Sequence, residues 1–250
     1  MPHDGRVDDW LDDRRPVRRV QRRPDAAPDP AAWPYRLAPV AQLLRDGLDL
    51  PAGVTFLVGE NGSGKSTVVE AVAAAAGLNA EGSSRNARHS TRTSESPLHE
   101  VLQLVRSAGA PGWSYFLRAE TMHGLYTYLE QLGGGPPGPP LHELSHGESF
   151  LEVLGQHFDR PGFYVLDEPE AALSFTSCLA LVGVLDQLAR SGGQVLCATH
   201  SPLLTALPGA TVLQLSDRGI EPVAWQELDL VDHLRRYLAD PRAYLRHVVG

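Results

Sequence analysis

The stretch Gly59–Thr67 carries the clearest chemical pattern in this 250-residue sequence. It reads G-E-N-G-S-G-K-S-T and satisfies the phosphate-loop pattern G-x-x-x-x-G-K-[S/T] at every position. Its glycines let the backbone wrap closely around an anion, because they carry no Cβ that would clash with it. Lys65 is the only lysine of the chain, and its compact ammonium suits the β- and γ-phosphates of a nucleotide. The alternative is a glycine turn that binds nothing.

The whole loop is predicted to contact the nucleotide, and its last residues add a metal ligand. Backbone N–H groups of the loop and of the helix that follows it would face the phosphates. The hydroxyl of Ser66 is predicted to hold Mg²⁺. The predicted nucleotide-binding residues of the loop are Gly59, Glu60, Asn61, Gly62, Ser63, Gly64, Lys65, Ser66 and Thr67.

The residues on either side of the loop predict the elements that position it. The run 54–58 before the loop is apolar and β-branched, which indicates a buried strand. The run 66–76 after it is rich in Ala and Val and contains no proline, which indicates a helix, and Gly77 is placed to end that helix.

Two carboxylates and a histidine end the next predicted strands of the chain. Asp167 ends the apolar run 163–167 and is predicted to be the second Mg²⁺ ligand, while Glu168 is placed to orient or deprotonate the attacking water. His200 ends the apolar run 194–199, where an imidazole can donate to the γ-phosphate or polarise the water. Lys65, Glu168 and His200 are therefore the predicted catalytic residues. The alternatives are a turn-capping role for the acids and a structural role for the histidine.

Strands and helices alternate along the chain, which predicts an α/β fold with a mainly parallel sheet. The other predicted strands are 113–119, 211–215 and 220–225, and the other predicted helices are 98–107, 125–132, 144–158, 173–190, 228–239 and 242–249. A small helical insertion is expected at about 78–158 of a domain that spans 33–250. Residues 1–32 are rich in Asp, Arg and Pro, which predicts a disordered tail.

Composition narrows the class of protein. The net charge of −8 argues against a generally basic nucleic-acid surface, although it leaves room for a local patch. No apolar run approaches a membrane span, the N-terminus has no secretory pattern, and the two cysteines lie in apolar runs, so we expect a cytoplasmic protein with buried thiols. Trp33 and Tyr35, upstream of the loop, are either adenine-stacking residues or aromatics at the edge of the core.

The order of these motifs resembles that of the ATP-binding-cassette (ABC) ATPases over roughly 35–223. Gly59–Thr67 resembles the Walker A motif of that family, and 163–168 resembles its Walker B motif. The run 144–148, L-S-H-G-E, resembles its signature L-S-G-G-Q. Residues 170–174 resemble its D-loop, and His200 resembles its switch histidine. The resemblance implies a P-loop NTPase fold with an ABC-type head.

The resemblance also implies a mode of action in which two heads enclose two ATP molecules with Mg²⁺. The signature residues Ser145, Gly147 and Glu148 would then contact the nucleotide of the partner, since the start of the following helix attracts anions. An ATP-dependent homodimer is therefore expected. His146 and Glu148 replace the usual Gly and Gln of the signature, and Glu120 is the candidate for the glutamine of the Q-loop.

Glu170 extends the Walker B motif to D-E-P-E, whereas transporter subunits usually carry Thr or Ser there. This resembles short stand-alone ATPases of the RecF-like and OLD-like type, which implies a role in DNA repair or phage defence with a possible DNA or nuclease partner. The alternatives are the energising subunit of a transporter and a non-catalytic ATP-dependent switch. The run 142–146 also matches the zinc motif H-E-x-x-H, but the neighbouring prolines and Gly147 argue against the continuous helix that such a site requires.

Overall fold

The computed structural model describes residues 13–78, 96–118, 154, 158, 160–171, 173–246 and 248–249. Its strands are β1 (Arg19–Arg22), β2 (Leu48–Asp49), β3 (Gly53–Val58), β4 (Leu102–Val105), β5 (Ser114–Arg118), β6 (Phe163–Asp167), β7 (Gln194–Ala198), β8 (Thr211–Ser216) and β9 (Gly219–Pro222). Its α-helices are α1 (Ala38–Asp46), α2 (Lys65–Ala75), α3 (Leu98–Val101), α4 (Phe175–Arg190), α5 (Asp229–Ala239) and α6 (Pro241–Leu245).

A six-stranded sheet with the order β5-β6-β7-β3-β8-β9 forms the centre of the molecule. All neighbouring strands in it are parallel except β8 and β9, which form an antiparallel hairpin. Both faces of the sheet are covered. Leu57 of β3 packs into a core with α2, while its neighbours Phe56 and Val58 point to the opposite face and pack into a core with α4. Burial on both faces explains why the parallel strands are continuously apolar.

The predicted mainly parallel α/β sheet is confirmed, and most predicted strands end within a residue of the observed ones. The predicted edge strand 220–225 is found as the shorter β9. Gly77 ends α2 as expected, with a left-handed φ of 81°. The N–H of Leu78 donates to the carbonyl of Ala73 at 3.0 Å, and that of Gly77 to the carbonyl of Ala74 at 2.9 Å.

The prediction of a disordered tail is wrong for the part of 1–32 in which β1 lies. This strand pairs antiparallel with β2 and β4 in a second, three-stranded sheet. Val17 and Val20 are fully buried in the core beside α2. Composition averaged over 32 residues hides these two valines, because the arginines around them keep their charged ends in water. Residues 1–12 lie outside the described part of the chain.

The predicted helix 98–107 is also wrong after its first turn. The helix α3 ends at Val101, and Leu102–Val105 is the strand β4. This strand exists because β1 is available to pair with it, so the two errors have one cause. Within the predicted helical insertion, the described range 96–118 contains only α3, β4 and β5. The predicted helix 125–132 lies outside the described residues. Of the predicted helix 144–158, only Leu154 and Phe158 are described.

Within the described ranges, no helix is both long and apolar enough to cross a membrane. The two cysteines, Cys178 and Cys197, are buried free thiols, as their apolar surroundings predict.

The side chain of Gln194 fastens the N-terminal segment to the main sheet. This residue begins β7 and is 1% exposed. Its Oε1 accepts from the N–H of Val17 at 2.9 Å. Its Nε2 donates to the carbonyl oxygens of Val17, Leu50 and Pro51 at 2.7, 3.2 and 2.9 Å. A single buried amide therefore holds three backbone segments together.

We expect Gln194→Leu to lower the free energy of unfolding by about 3 kcal/mol, because leucine has a similar volume but leaves buried backbone groups without hydrogen bonds. Urea denaturation measures this change. The control is Gln187→Leu, which alters an exposed glutamine of α4 and should have little effect. Equal effects of the two substitutions would contradict the fastening role of Gln194.

Candidate functional site

The phosphate-loop residues connect the end of β3 to the start of α2, as the pattern predicts. Gly62 and Gly64 have φ angles of 83° and 97°, which side chains rarely adopt. A Cβ on Gly59 would collide with the carbonyl oxygen of Leu215, so this position also requires glycine. Gly64 is the N-cap residue of α2 and offers no capping side chain. The first N–H groups of this eleven-residue helix are therefore left for an anion.

Lys65 lies inside the curve of the loop. It is 4% exposed, and its Nζ donates to the carbonyl oxygens of Gly59 at 2.8 Å and Glu60 at 3.0 Å. Burial lowers the pKa of Lys65, while the negative charges of Glu168, Asp167 and Glu170 act in the opposite direction. The loop thus holds an ammonium group beside three carboxylates.

Asp167 is the buried acid of the site. It ends β6 and is 3% exposed, and one of its oxygens, Oδ2, lies 3.6 Å from Nε of Arg118 at the end of β5. The hydroxyl of Ser66 donates a hydrogen bond to its carboxylate. Burial raises the pKa of Asp167 to about 6, although the hydrogen bond from Ser66 and the charge of Arg118 lower it in part. Arg118 also pairs with Glu70 of α2 at 2.8 Å.

The surroundings of Asp167 fit a magnesium ion. Its Oδ1 is buried and has no hydrogen-bond partner among the described residues. An unpartnered carboxylate oxygen beside a serine hydroxyl is a donor set for a hard divalent cation. Mg²⁺ binds through few protein ligands, and water and phosphate oxygens complete its coordination. The structure therefore brings the two predicted metal ligands together.

Glu168 and His200 form the second pair. Nε2 of His200 lies 3.3 Å from Oε1 of Glu168, across the ends of the neighbouring strands β6 and β7. Glu168 has a φ of 47°, in the left-handed region that side chains other than glycine seldom adopt, and its N–H donates to the carbonyl of Ala198 at 2.9 Å. Such strained positions cluster at functional sites. The half-exposed carboxylate of Glu168 remains accessible to water.

Glu170 is a residue whose role the sequence did not reveal. Its Oε1 accepts from the hydroxyl of Thr199 at 2.6 Å and from the N–H of His200 at 2.7 Å. Thr199 is fully buried, and its hydroxyl oxygen accepts from the N–H of Ser201 at 2.9 Å. The sequence marked Glu170 only as a departure from the transporter pattern, because nothing in local spacing shows that it reaches the strand end thirty residues later.

A cavity of about 830 Å³ opens next to the phosphate loop. It is bounded by the loop residues 59–63, by the start of α1, by the turn between β8 and β9, and by α5. His200 lines it at one end. Neither predicted stacking aromatic lines it. Tyr35 packs against the core and donates to the carbonyl of Pro97 at 3.4 Å, while Trp33 is 51% exposed.

The remaining predicted site residues lie outside the described part of the chain. They are the signature residues Ser145, Gly147 and Glu148, the Q-loop candidate Glu120, and the two histidines of the zinc motif, His142 and His146. Their predicted roles stay predictions.

Comparison with known proteins identifies the family. Residues 45–104 match a family described as "AAA domain", and residues 139–206 match one described as "AAA domain, putative AbiEii toxin, Type IV TA system". The chain is 30% identical over 186 residues to the cytochrome c biogenesis ATP-binding export protein CcmA of Rhizobium etli, a match that covers 66% of this chain and 84% of that protein. The chain belongs to the ABC-type P-loop ATPases. The family that the motif order indicates is thereby confirmed.

Two further similarities accompany this assignment. This ABC-type ATPase is 28% identical over 210 residues to the hemin import ATP-binding protein HmuV of Burkholderia pseudomallei, covering 68% of this chain and 76% of that protein. It is also similar to the solved SMC head domain from Thermotoga maritima, with a TM-score of 0.43 and 18% identity over 71% of this chain and 93% of that one. Membership of the family makes the chain an ATP-binding protein.

The raised pKa of Asp167 predicts a pH-dependent effect of Asp167→Asn on the metal-free protein. The fold favours the neutral carboxyl, so the contribution of Asp167 to stability is full below its ordinary pKa of 3.8 and is lost as the pH rises through about 6. At pH 8 we expect Asp167→Asn to raise the free energy of unfolding by about 3 kcal/mol, and at pH 4 by almost nothing.

Urea denaturation at the two pH values, with a chelator present, measures this difference. Asp186→Asn is the control, because this residue of α4 forms a surface pair with Arg190 at 3.0 Å and should respond weakly at both pH values. A destabilised Asp167→Asn protein at pH 8 would contradict the burial argument.

Proposed function

We propose that this ABC-type ATPase hydrolyses ATP in a reaction that depends on Mg²⁺. The proposal depends on one observation: three sets of groups lie close together at one edge of the sheet. They are Lys65, the pair Ser66 and Asp167, and the pair Glu168 and His200. Each group has a distinct task in phosphoryl transfer, and the reaction needs all of them close together.

The phosphate end of the nucleotide is held by the loop. Backbone N–H groups at the start of α2 bind phosphate oxygens, and Lys65 exchanges its two carbonyl partners for the β- and γ-phosphates. Ser66 and Asp167 would hold Mg²⁺, and the chemistry that this ion would supply is neutralisation of the negative charge on the phosphates. The hydrogen bond from Ser66 already orients the carboxylate of Asp167 toward the loop.

Glu168 and His200 act on the attacking water. The carboxylate of Glu168 orients the water and accepts its proton. His200 donates from its ring to the γ-phosphate, and its Nε2 lies 3.3 Å from Oε1 of Glu168, so the two side chains can act on the same water molecule. Glu170 is the positioning residue of this pair, because it holds the backbone N–H of His200 and the hydroxyl of Thr199 in place.

We further propose that two copies of the chain close on ATP. The loop residues Glu60, Asn61 and Gly62 are exposed in the single chain, which leaves the nucleotide open on one side. Ser145, Gly147 and Glu148 of a second copy would complete each site from that side. ATP would then promote a homodimer, and hydrolysis would release it.

The process that the ATP cycle serves is proposed to be DNA repair or phage defence, with DNA or a nuclease as partner. The D-E-P-E motif supports this role, and so does the match of residues 139–206 to a family described as a toxin component. Transport is the second candidate, because CcmA and HmuV, to which this chain is similar, are named as export and import ATP-binding proteins. Co-purification with DNA or with a membrane fraction separates the two roles.

We expect Glu168→Gln to bind ATP normally but to release phosphate at least about 100-fold more slowly than the wild type, since the amide cannot accept the proton from water. Because the bound ATP persists, this variant should also double its mass in solution when Mg-ATP is added. Phosphate release and light scattering measure the two effects. Glu221→Gln, on the exposed hairpin, is the control and should behave as the wild type. A Glu168→Gln protein that binds ATP but stays monomeric would contradict the proposed dimer.

We expect Glu170→Ala to lower kcat about tenfold and to leave ATP affinity unchanged, because His200 loses its fixed position while the phosphate loop stays intact. Glu170→Gln should retain most of the activity, since its amide oxygen can accept both hydrogen bonds. Phosphate release at saturating ATP and equilibrium binding of ATP distinguish these effects. If alanine and glutamine reduced kcat equally, the negative charge of Glu170, and not its hydrogen bonds, would be the important property.

A further inference from the structure

Apart from the phosphate loop and His200, the residues that line the cavity beside the loop take no part in the chemistry described above. Its volume of about 830 Å³ lies in the range of small-molecule sites. It lies outside the carboxyl ends of the parallel strands, where ligands of open α/β sheets bind. Only His200 belongs both to this cavity and to the catalytic groups.

Strand order gives the direction in which a bound nucleotide must extend. In the sheet, β7 and β6 lie on one side of β3, and they carry His200 and Asp167 at their ends. The strand β8 lies on the other side of β3, and the turn that follows β8 lines the cavity. A nucleotide whose γ-phosphate meets the catalytic groups therefore directs its nucleoside half toward β8 and α5.

Two residues of α5 present polar groups to the cavity from one face of the helix. Asp229 and His233 are four positions apart, and both line the cavity. His233 is held in place by Tyr244 of α6, whose hydroxyl lies 3.1 Å from Nδ1 of the imidazole and whose ring meets it edge-on at 6.2 Å. Asp229 accepts from Nε2 of Gln214 at 2.7 Å. A flat ring in a fixed orientation is suited to stack on a nucleobase.

We propose that this cavity binds the nucleoside half of ATP and that the imidazole of His233 stacks on the base. The inference rests on the proposed binding of ATP at the phosphate loop. It assigns to a residue of α5 the stacking role for which Trp33 and Tyr35 were the sequence candidates. The carboxylate of Asp229 is a hydrogen-bond acceptor for the ribose hydroxyls or for an exocyclic amino group of the base.

The test compares the affinity of the full chain for ATP with its affinity for inorganic tripolyphosphate, which has the phosphates but no nucleoside. We expect His233→Ala to weaken ATP binding about tenfold and to leave tripolyphosphate binding unchanged. His233→Phe should bind ATP almost as tightly as the wild type, because phenylalanine keeps the flat ring. The control is Leu238→Ala, which removes an exposed side chain of α5 that does not line the cavity.

The outcomes separate this inference from the proposed function. The phosphate site is supported if the wild type binds ATP and Lys65→Ala abolishes that binding. If His233→Ala nevertheless binds ATP as tightly as the wild type, the stacking role of His233 is overturned. If His233→Phe is as weak as His233→Ala, stacking is likewise overturned. If the wild type binds neither ATP nor tripolyphosphate, the proposed function itself fails.

Discussion

The functional groups of this protein depend on the register of three parallel strands. The pairing aligns Leu57 of β3 with Ala198 of β7, and Ala198 with Asp167 of β6. Because these residues lie in one row across the sheet, the loop after β3, the acids after β6 and the histidine after β7 leave the sheet at the same level. A shift of one residue in either pairing would turn the side chains of a whole strand to the opposite face. Burial on both faces prevents such a shift.

The same alignment concentrates charge. Lys65, Asp167 and Glu170 lie close to one another at the end of the sheet. Oδ1 of Asp167 and Oε2 of Glu170 are buried there and have no hydrogen-bond partner among the described residues. A site of this kind opposes stability in the absence of its ligands and becomes favourable when phosphate and a cation supply the missing partners. The pKa of Asp167 is raised for the same reason, because burial without a ligand favours the neutral form of its carboxyl group.

Local patterns were sufficient to predict the parallel strands and the loop. Continuous apolar runs mark strands buried on both faces, and the glycine pattern marks the turn between β3 and α2. Local patterns failed for β1 and β4, because these strands pair with each other across about eighty residues of sequence. They also failed for Glu170 and for the cavity, which arise from contacts between distant segments. Long-range pairing leaves little trace in local composition.

The scarcity of lysine has a consequence for chemical labelling. In this sequence Lys65 is the one side chain that an amine-directed acylating reagent can modify, and it lies within the phosphate loop. Burial lowers its pKa and so increases the fraction that is uncharged and nucleophilic, while its hydrogen bonds to Gly59 and Glu60 restrict access. A ligand in the loop would block the reagent. Acylation of side-chain amines would therefore report occupancy of this loop, with no background from other lysines.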